Sequence, residues 1–108
     1  MAEAYKKIDQ REVPAAQTLI YTVPALTEAI VKHIKAVSTD AGDKWVKLWH
    51  TDGAAPVDAN LILPQTDISA GGMGEWEGTL LMEAGDRLYA EAETATSISL
   101  TVYGLELS

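Results

Sequence analysis

Leu88, Ala90 and Ala92 alternate with Tyr89, Glu91 and Glu93, and the same two-residue period returns in Ile98, Leu100 and Val102. A period of two sends one set of side chains to a buried face and the other to water, as in a β-strand. The signature recurs upstream. Leu19, Tyr21 and Val23 alternate with Thr18, Ile20 and Thr22 as far as Pro24. Residues 44–50 are rich in aromatic and β-branched side chains, Leu61-Ile62-Leu63 makes a short strand ending at Pro64, and 76–82 makes another. Turn chemistry separates them at 51–56, in the loop 69–74 and at Glu83-Ala84-Gly85-Asp86, where Gly85 is expected to supply a positive φ.

Residues 27–37 fit two periods. Leu26, Ile30, His33, Ile34 and Val37 fall at helical spacing, while Ile30, Ile34 and Ala36 share one strand face. Strands on both sides and the β-branched residues favour a strand. The final strand changes phase: Ile98, Leu100 and Val102 are apolar at even positions, Tyr103, Leu105 and Leu107 at odd ones. Either a bulge near Gly104 keeps both sets on one face, or Leu105 and Leu107 lie outside as an apolar patch suited to a subunit contact.

Seven or eight short strands at this spacing predict an all-β chain, an antiparallel β-sandwich of jelly-roll or Ig-like type. The segment 1–16 differs from the rest. It is charged, mixed in sign and without apolar periodicity until Val13-Pro14-Ala15-Ala16 closes it. It reads as an N-terminal arm, extended or mobile, that either orders on a partner or is simply a frayed terminus, with the sandwich domain spanning 17–108.

Composition narrows the function more than the fold. A chain of 108 residues with 47% hydrophobic residues makes one domain, which buries roughly 65% of its unfolded surface. It has no cysteine, which removes disulfides, thiolate zinc sites and cysteine nucleophiles together. No apolar run reaches the roughly 18 residues of a membrane span. The first residues lack the apolar stretch of a signal peptide, so a cytosolic site of synthesis is expected. The net charge of −8 is uneven: residues 1–47 carry seven bases against six acids, residues 48–108 one base against ten acids. That field repels phosphate backbones and anionic lipid, so neither nucleic acid nor membrane is an expected partner.

Candidate chemistry is sparse. His33 and His50 are the two histidines and share no short ligand spacing. The acidic turns around Asp40, Asp52 and Asp58 do not match a calcium loop. Glu75 and Glu77 flank Trp76 on one strand face, about 7 Å apart, near the separation of a glycosidase pair yet equally ordinary on a wet face. The motifs of serine hydrolases, phosphate-binding loops and zinc proteases are absent. No cofactor, metal or catalytic residue is expected, and the chain is read as no enzyme.

The tryptophans carry more. Trp45 and Trp49 lie on one strand face about 13 Å apart, with Lys47 between them and Val46 and Leu48 opposite. That face is core, a protein interface, or a platform on which sugar rings stack. Trp76 on its own strand and the basic or aromatic residues Tyr5, Lys6, Lys7 and Arg11 of the arm complete the candidates for partner contact, with Leu105 and Leu107.

Thr22-Val23-Pro24-Ala25, Ala29-Ile30-Val31-Lys32, Leu61-Ile62-Leu63-Pro64, the 81–88 turn with Ala84-Gly85-Asp86, and Val102-Tyr103-Gly104-Leu105-Glu106 together resemble small β-sandwich structural proteins of tailed bacteriophages. The resemblance implies a virion component without enzymatic activity, of the head decoration or cement type. Its expected partners are a major capsid protein or another virion protein and further copies of itself, a trimer by preference. The alternative it leaves is a receptor- or carbohydrate-binding module of a tail or neck appendage.

Overall fold

A computed structural model describes residues 3–107 of the chain. Eight strands follow one another: β1 (Glu3–Glu12), β2 (Thr18–Thr22), β3 (Glu28–Ser38), β4 (Lys44–Thr51), β5 (Leu61–Ile68), β6 (Met73–Met82), β7 (Arg87–Ala92) and β8 (Ile98–Leu107). A single 3₁₀ turn at Asp58–Asn60 interrupts the β4–β5 connection. The strands form two four-stranded antiparallel sheets, ordered β1-β8-β3-β6 and β2-β7-β4-β5. Except between β4 and β5, each strand is followed by one in the other sheet. That crossing pattern belongs to the double-sheet jelly roll rather than to the Ig-like sandwich.

The period-two pattern explains the layers. Ile34, Ala36, Met82, Leu100 and Val102 from the first sheet meet Ile20, Val46, Leu48, Leu88 and Ala90 from the second in one buried cluster. The valine, leucine, isoleucine and methionine side chains among them each contribute roughly 1.5–3 kcal/mol on burial, enough to hold a small sandwich without disulfides. The two periods of residues 27–37 resolve as strand β3, because β6 and β8 pair with both of its edges.

Two expectations change and one open alternative is decided. The segment 1–16 is not set apart from the sandwich: its residues 3–12 form β1, an edge strand on β8. Charged residues suit an edge strand, which needs only one apolar face. Val13 is fully buried, its N–H donates to Ile98 O at 2.9 Å, and Pro14 O accepts from Ala92 N at 3.0 Å. The crossing from one sheet to the other is thereby tied to both. Second, β5 does not stop at Pro64 but continues to Ile68. Pro64 is tolerated because β5 is an edge strand and its ladder with β4 skips between Val46↔Thr66 and Leu48↔Leu63.

Of the two readings of the final strand, the outer-face one holds: β8 keeps one phase from Ile98 to Glu106. The extra residues lie in its neighbours, with Ile8 unpaired in β1 and Lys32 in β3. Gly104 is therefore an inward position, and it has to be glycine. A Cβ there would stand 2.2 Å from Ile30 O, a distance that backbone cannot yield to. Gly85 has φ +90° in its turn, as expected.

Candidate functional site

Register turns the outer face of the first sheet into a grid. Leu105 of β8, Ile30 of β3 and Leu81 of β6 are cross-strand neighbours and make an apolar row, with Tyr5 of β1 opposite Leu105. Tyr103, His33 and Glu77 make the next row, Thr101, Lys35 and Glu75 the third, and Ser99, Val37 and Met73 the last. The face grades from apolar at one end to polar and charged in its middle. Alternation fixes the direction of these side chains, since Ala29, Val31, Ile34 and Ala36 are buried on the other side of β3. Leu105 and Leu107 thus stand on the outer face and are half-buried there, beside β1 and β3. Leu81 and Met73, on the edge strand, are 54% and 51% exposed.

The middle of the grid holds the densest chemistry. His33 lies flat on Tyr103, ring centroids 5.6 Å apart and planes 18° from parallel. Its Nε2 is 2.6 Å from Glu75 Oε2. The donor atoms of His33, Glu75 and Glu77 all lie within 4.8 Å of one another. Glu75 and Glu77 do share a face, as their spacing requires. What sequence spacing could not show is His33, which is 42 residues from Glu75 along the chain and meets it through the β3–β6 register. A bulge helps to set that register: between Val31↔Leu80 and His33↔Glu77, two residues of β6 oppose the single Lys32.

The other candidates are dispersed. Tyr5 and Lys6 pair with Leu105 and Gly104 through their backbones, and their side chains lie outside the described residues. Lys7 is exposed and donates to Gln10 Oε1 at 2.9 Å. Arg11 is engaged within the fold. It binds Asp9 through two nitrogens at 2.8 and 3.0 Å and donates to Ile20 O of β2 at 3.0 Å. The Asp9 hydrogen bond holds the Arg11 guanidinium above its ordinary pKa against the opposing pull of burial. Trp76 points inward and packs against the core, its ring also covering Gly78.

Trp45 and Trp49 do not form an open pair. Trp49 is 4% exposed yet lies outside the cluster between the sheets. It sits on the outer face of the second sheet in register with Tyr89 of β7 and Leu61 of β5, and the 3₁₀ turn approaches β4. Trp45 is half-buried with Lys47 Nζ 5.3 Å from its ring centroid, a cation–π contact. His50 and Asp86 meet at 2.9 Å at the β6–β7 turn, where Asp86 Oδ2 also accepts from Glu83 N. Tyr21 OH of β2 donates to Glu106 of β8, joining the two sheets at one end.

A cavity of about 30 Å³ between β6 and β5, lined by Ile34, Ala36, Ile68 and Trp76 among others, is far below the size of a ligand site. Among the described residues no helix is long and apolar enough to cross a membrane.

No family model and no curated protein matches the chain. Solved structures do match in fold. The Tobacco streak virus coat protein superposes with TM-score 0.56 over 98% of this chain and 85% of its own, at 12% identity. Two structures of a pentameric capsid protein isolated from metagenomic phage sequences give TM-scores of 0.44 and 0.42 at 20% and 16% identity. This chain spans 62% and 64% of their lengths.

Proposed function

We propose that the chain is a non-enzymatic structural component of a viral particle, and more finely a decoration or cement protein that binds the outside of a capsid and holds it. The observation that carries this reading is the strand order β1-β8-β3-β6 over β2-β7-β4-β5, an eight-stranded jelly roll spanning the described residues. The likeness to a viral coat protein over 98% of the chain adds support by analogy of fold, which by itself carries no function. The partners in this reading are the shell protein and further copies of the chain, with a trimer as the assembly.

The outer face of the first sheet supplies the contact. The Leu105–Ile30–Leu81 row runs from β8 to an exposed leucine on the edge strand, giving an apolar strip at one end of the face with polar rows beside it. Binding there stabilises the bound shell by mass action without altering its own subunits. Each copy in a symmetric oligomer presents the same patch, so modest contacts add.

Purified particles analysed by gel and mass spectrometry contain the chain in high copy on this reading; its absence from them sinks it. Light scattering after size exclusion, for the chain alone and mixed with empty shells, tests the finer part. A stable trimer that co-elutes with shells supports cement. A chain that never associates with shells removes the cement role while leaving other virion positions open.

A further inference from the structure

We propose that His33, Glu75 and Glu77 form a binding site for one divalent cation of the borderline class, with Zn²⁺ the best match. One imidazole and two carboxylates are a donor set that suits zinc and its transition-metal neighbours better than calcium, which takes six to eight oxygens. Three protein ligands leave a fourth position for water or for a group from a bound partner.

The geometry is close to what a cation needs. Tetrahedral ligands at metal distances of about 2.0–2.2 Å stand roughly 3.4 Å from one another. The three donor atoms lie within 4.8 Å of one another, and His33 Nε2 and Glu75 Oε2 are closer than a metal would set them, at 2.6 Å. Opening that pair and drawing in Glu77 needs only rotation of two flexible glutamate side chains. The histidine, the stiff member, is already oriented by its stack on Tyr103. All three residues project from paired strands rather than from a loop, which fixes their spacing.

Charge points the same way. Glu77 faces His33 directly across the ladder, and among the described residues it makes no hydrogen bond or ion pair. Two glutamates one strand repeat apart repel, and a single histidine compensates one of them at most. Lys35, opposite Glu75 on the same face, supplies a cation nearby but makes no ion pair with either glutamate among the described residues. A divalent ion would neutralise both carboxylates at once.

Calorimetric titration of Zn²⁺ into the chelator-stripped full chain tests the site. The expected result is one ion per chain, with weaker binding of Ca²⁺. Affinity should fall by at least about tenfold, the least that loss of a metal-site partner costs, in both H33Q and E77Q. His50→Gln, at the other histidine, should change nothing. Nitrogen-correlated NMR of the imidazole rings gives a second reading on the unmutated protein, in which zinc shifts the His33 resonances and spares His50. Binding that survives E77Q unchanged, a shift at His50 instead of His33, or no saturable binding overturns the proposal.

Discussion

On the outer face of the second sheet Trp49 stands between Tyr89 and Leu61 and is 4% exposed; on that of the first, Leu81 stands beside Ile30 and is 54% exposed. Both rows are built by cross-strand register from apolar residues on the outside of a sandwich. The second is finished within the chain, by neighbouring side chains and by the connection that approaches β4. The first is left open on its edge strand. Large apolar side chains on an outer face are thus of two kinds: those that serve the fold, and those the fold does not use. Residue type alone does not separate them, since the tryptophan is the covered one.

Substitution separates the two faces in order of effect. Trp49→Ala should cost about 3–5 kcal/mol, as for other buried tryptophans, read as a lowered midpoint in denaturant; a loss below about 1 kcal/mol would place Trp49 with the open face instead. Gly104→Ala should cost about 3 kcal/mol, at the upper end for overpacking, because the new methyl meets Ile30 O rather than a side chain that can move. A well-folded Gly104→Ala chain of wild-type stability would mean that β8 and β3 separate easily, and the grid on the first face with them.

Smaller effects follow. Tyr21→Phe removes the hydrogen bond to Glu106 and should cost about 1 kcal/mol. Burial and that bond push the Tyr21 phenol well above its ordinary value. Its contribution is therefore complete below pH ~10, the unfolded value, and is lost as pH rises above it toward the folded value. Wild type should lose stability across that alkaline range, and Tyr21→Phe should lose less; parallel curves would contradict the assignment. Least of all, Leu81→Lys should leave the melt of the isolated chain within about 0.5 kcal/mol while abolishing self-association or shell binding in light scattering. A clear fall in stability would show that Leu81 serves the fold after all.

How much of this was legible in the sequence follows from the range of each interaction. Period two is local, so β2, β4, β7 and β8 could be read directly, as could the turn at Gly85. The β1 strand could not, because Lys7, Asp9, Gln10 and Glu12 satisfy an edge position only once β8 is beside them. The continuation of β5 past Pro64 likewise depends on its place at the edge of its sheet. The choice between jelly roll and Ig-like sandwich rests on which sheet each strand joins, a property that no local window contains.

The grid was hidden for the same reason. Glu75 and Glu77 could be placed on one face from their spacing, but His33 joins them through a ladder whose register is shifted at Lys32. The phase change in β8 was visible, and one of its two explanations, an outer-face position for Leu105 and Leu107, agrees with the structure. Ile30 and Leu81, which complete the row, carried no signal beyond being apolar.

The position of β8 between β1 and β3 has a consequence for how the chain is made. A ribosome releases residues 98–107 after the other seven strands, so the first sheet lacks one of its two inner strands until they emerge. Until then β1 has no partner in that sheet, and β3 has only β6. Pairings this distant in sequence close slowly, and unpaired edges are the surfaces through which nascent chains aggregate. Truncating the chain before Ile98 should therefore give an insoluble product rather than a smaller sandwich.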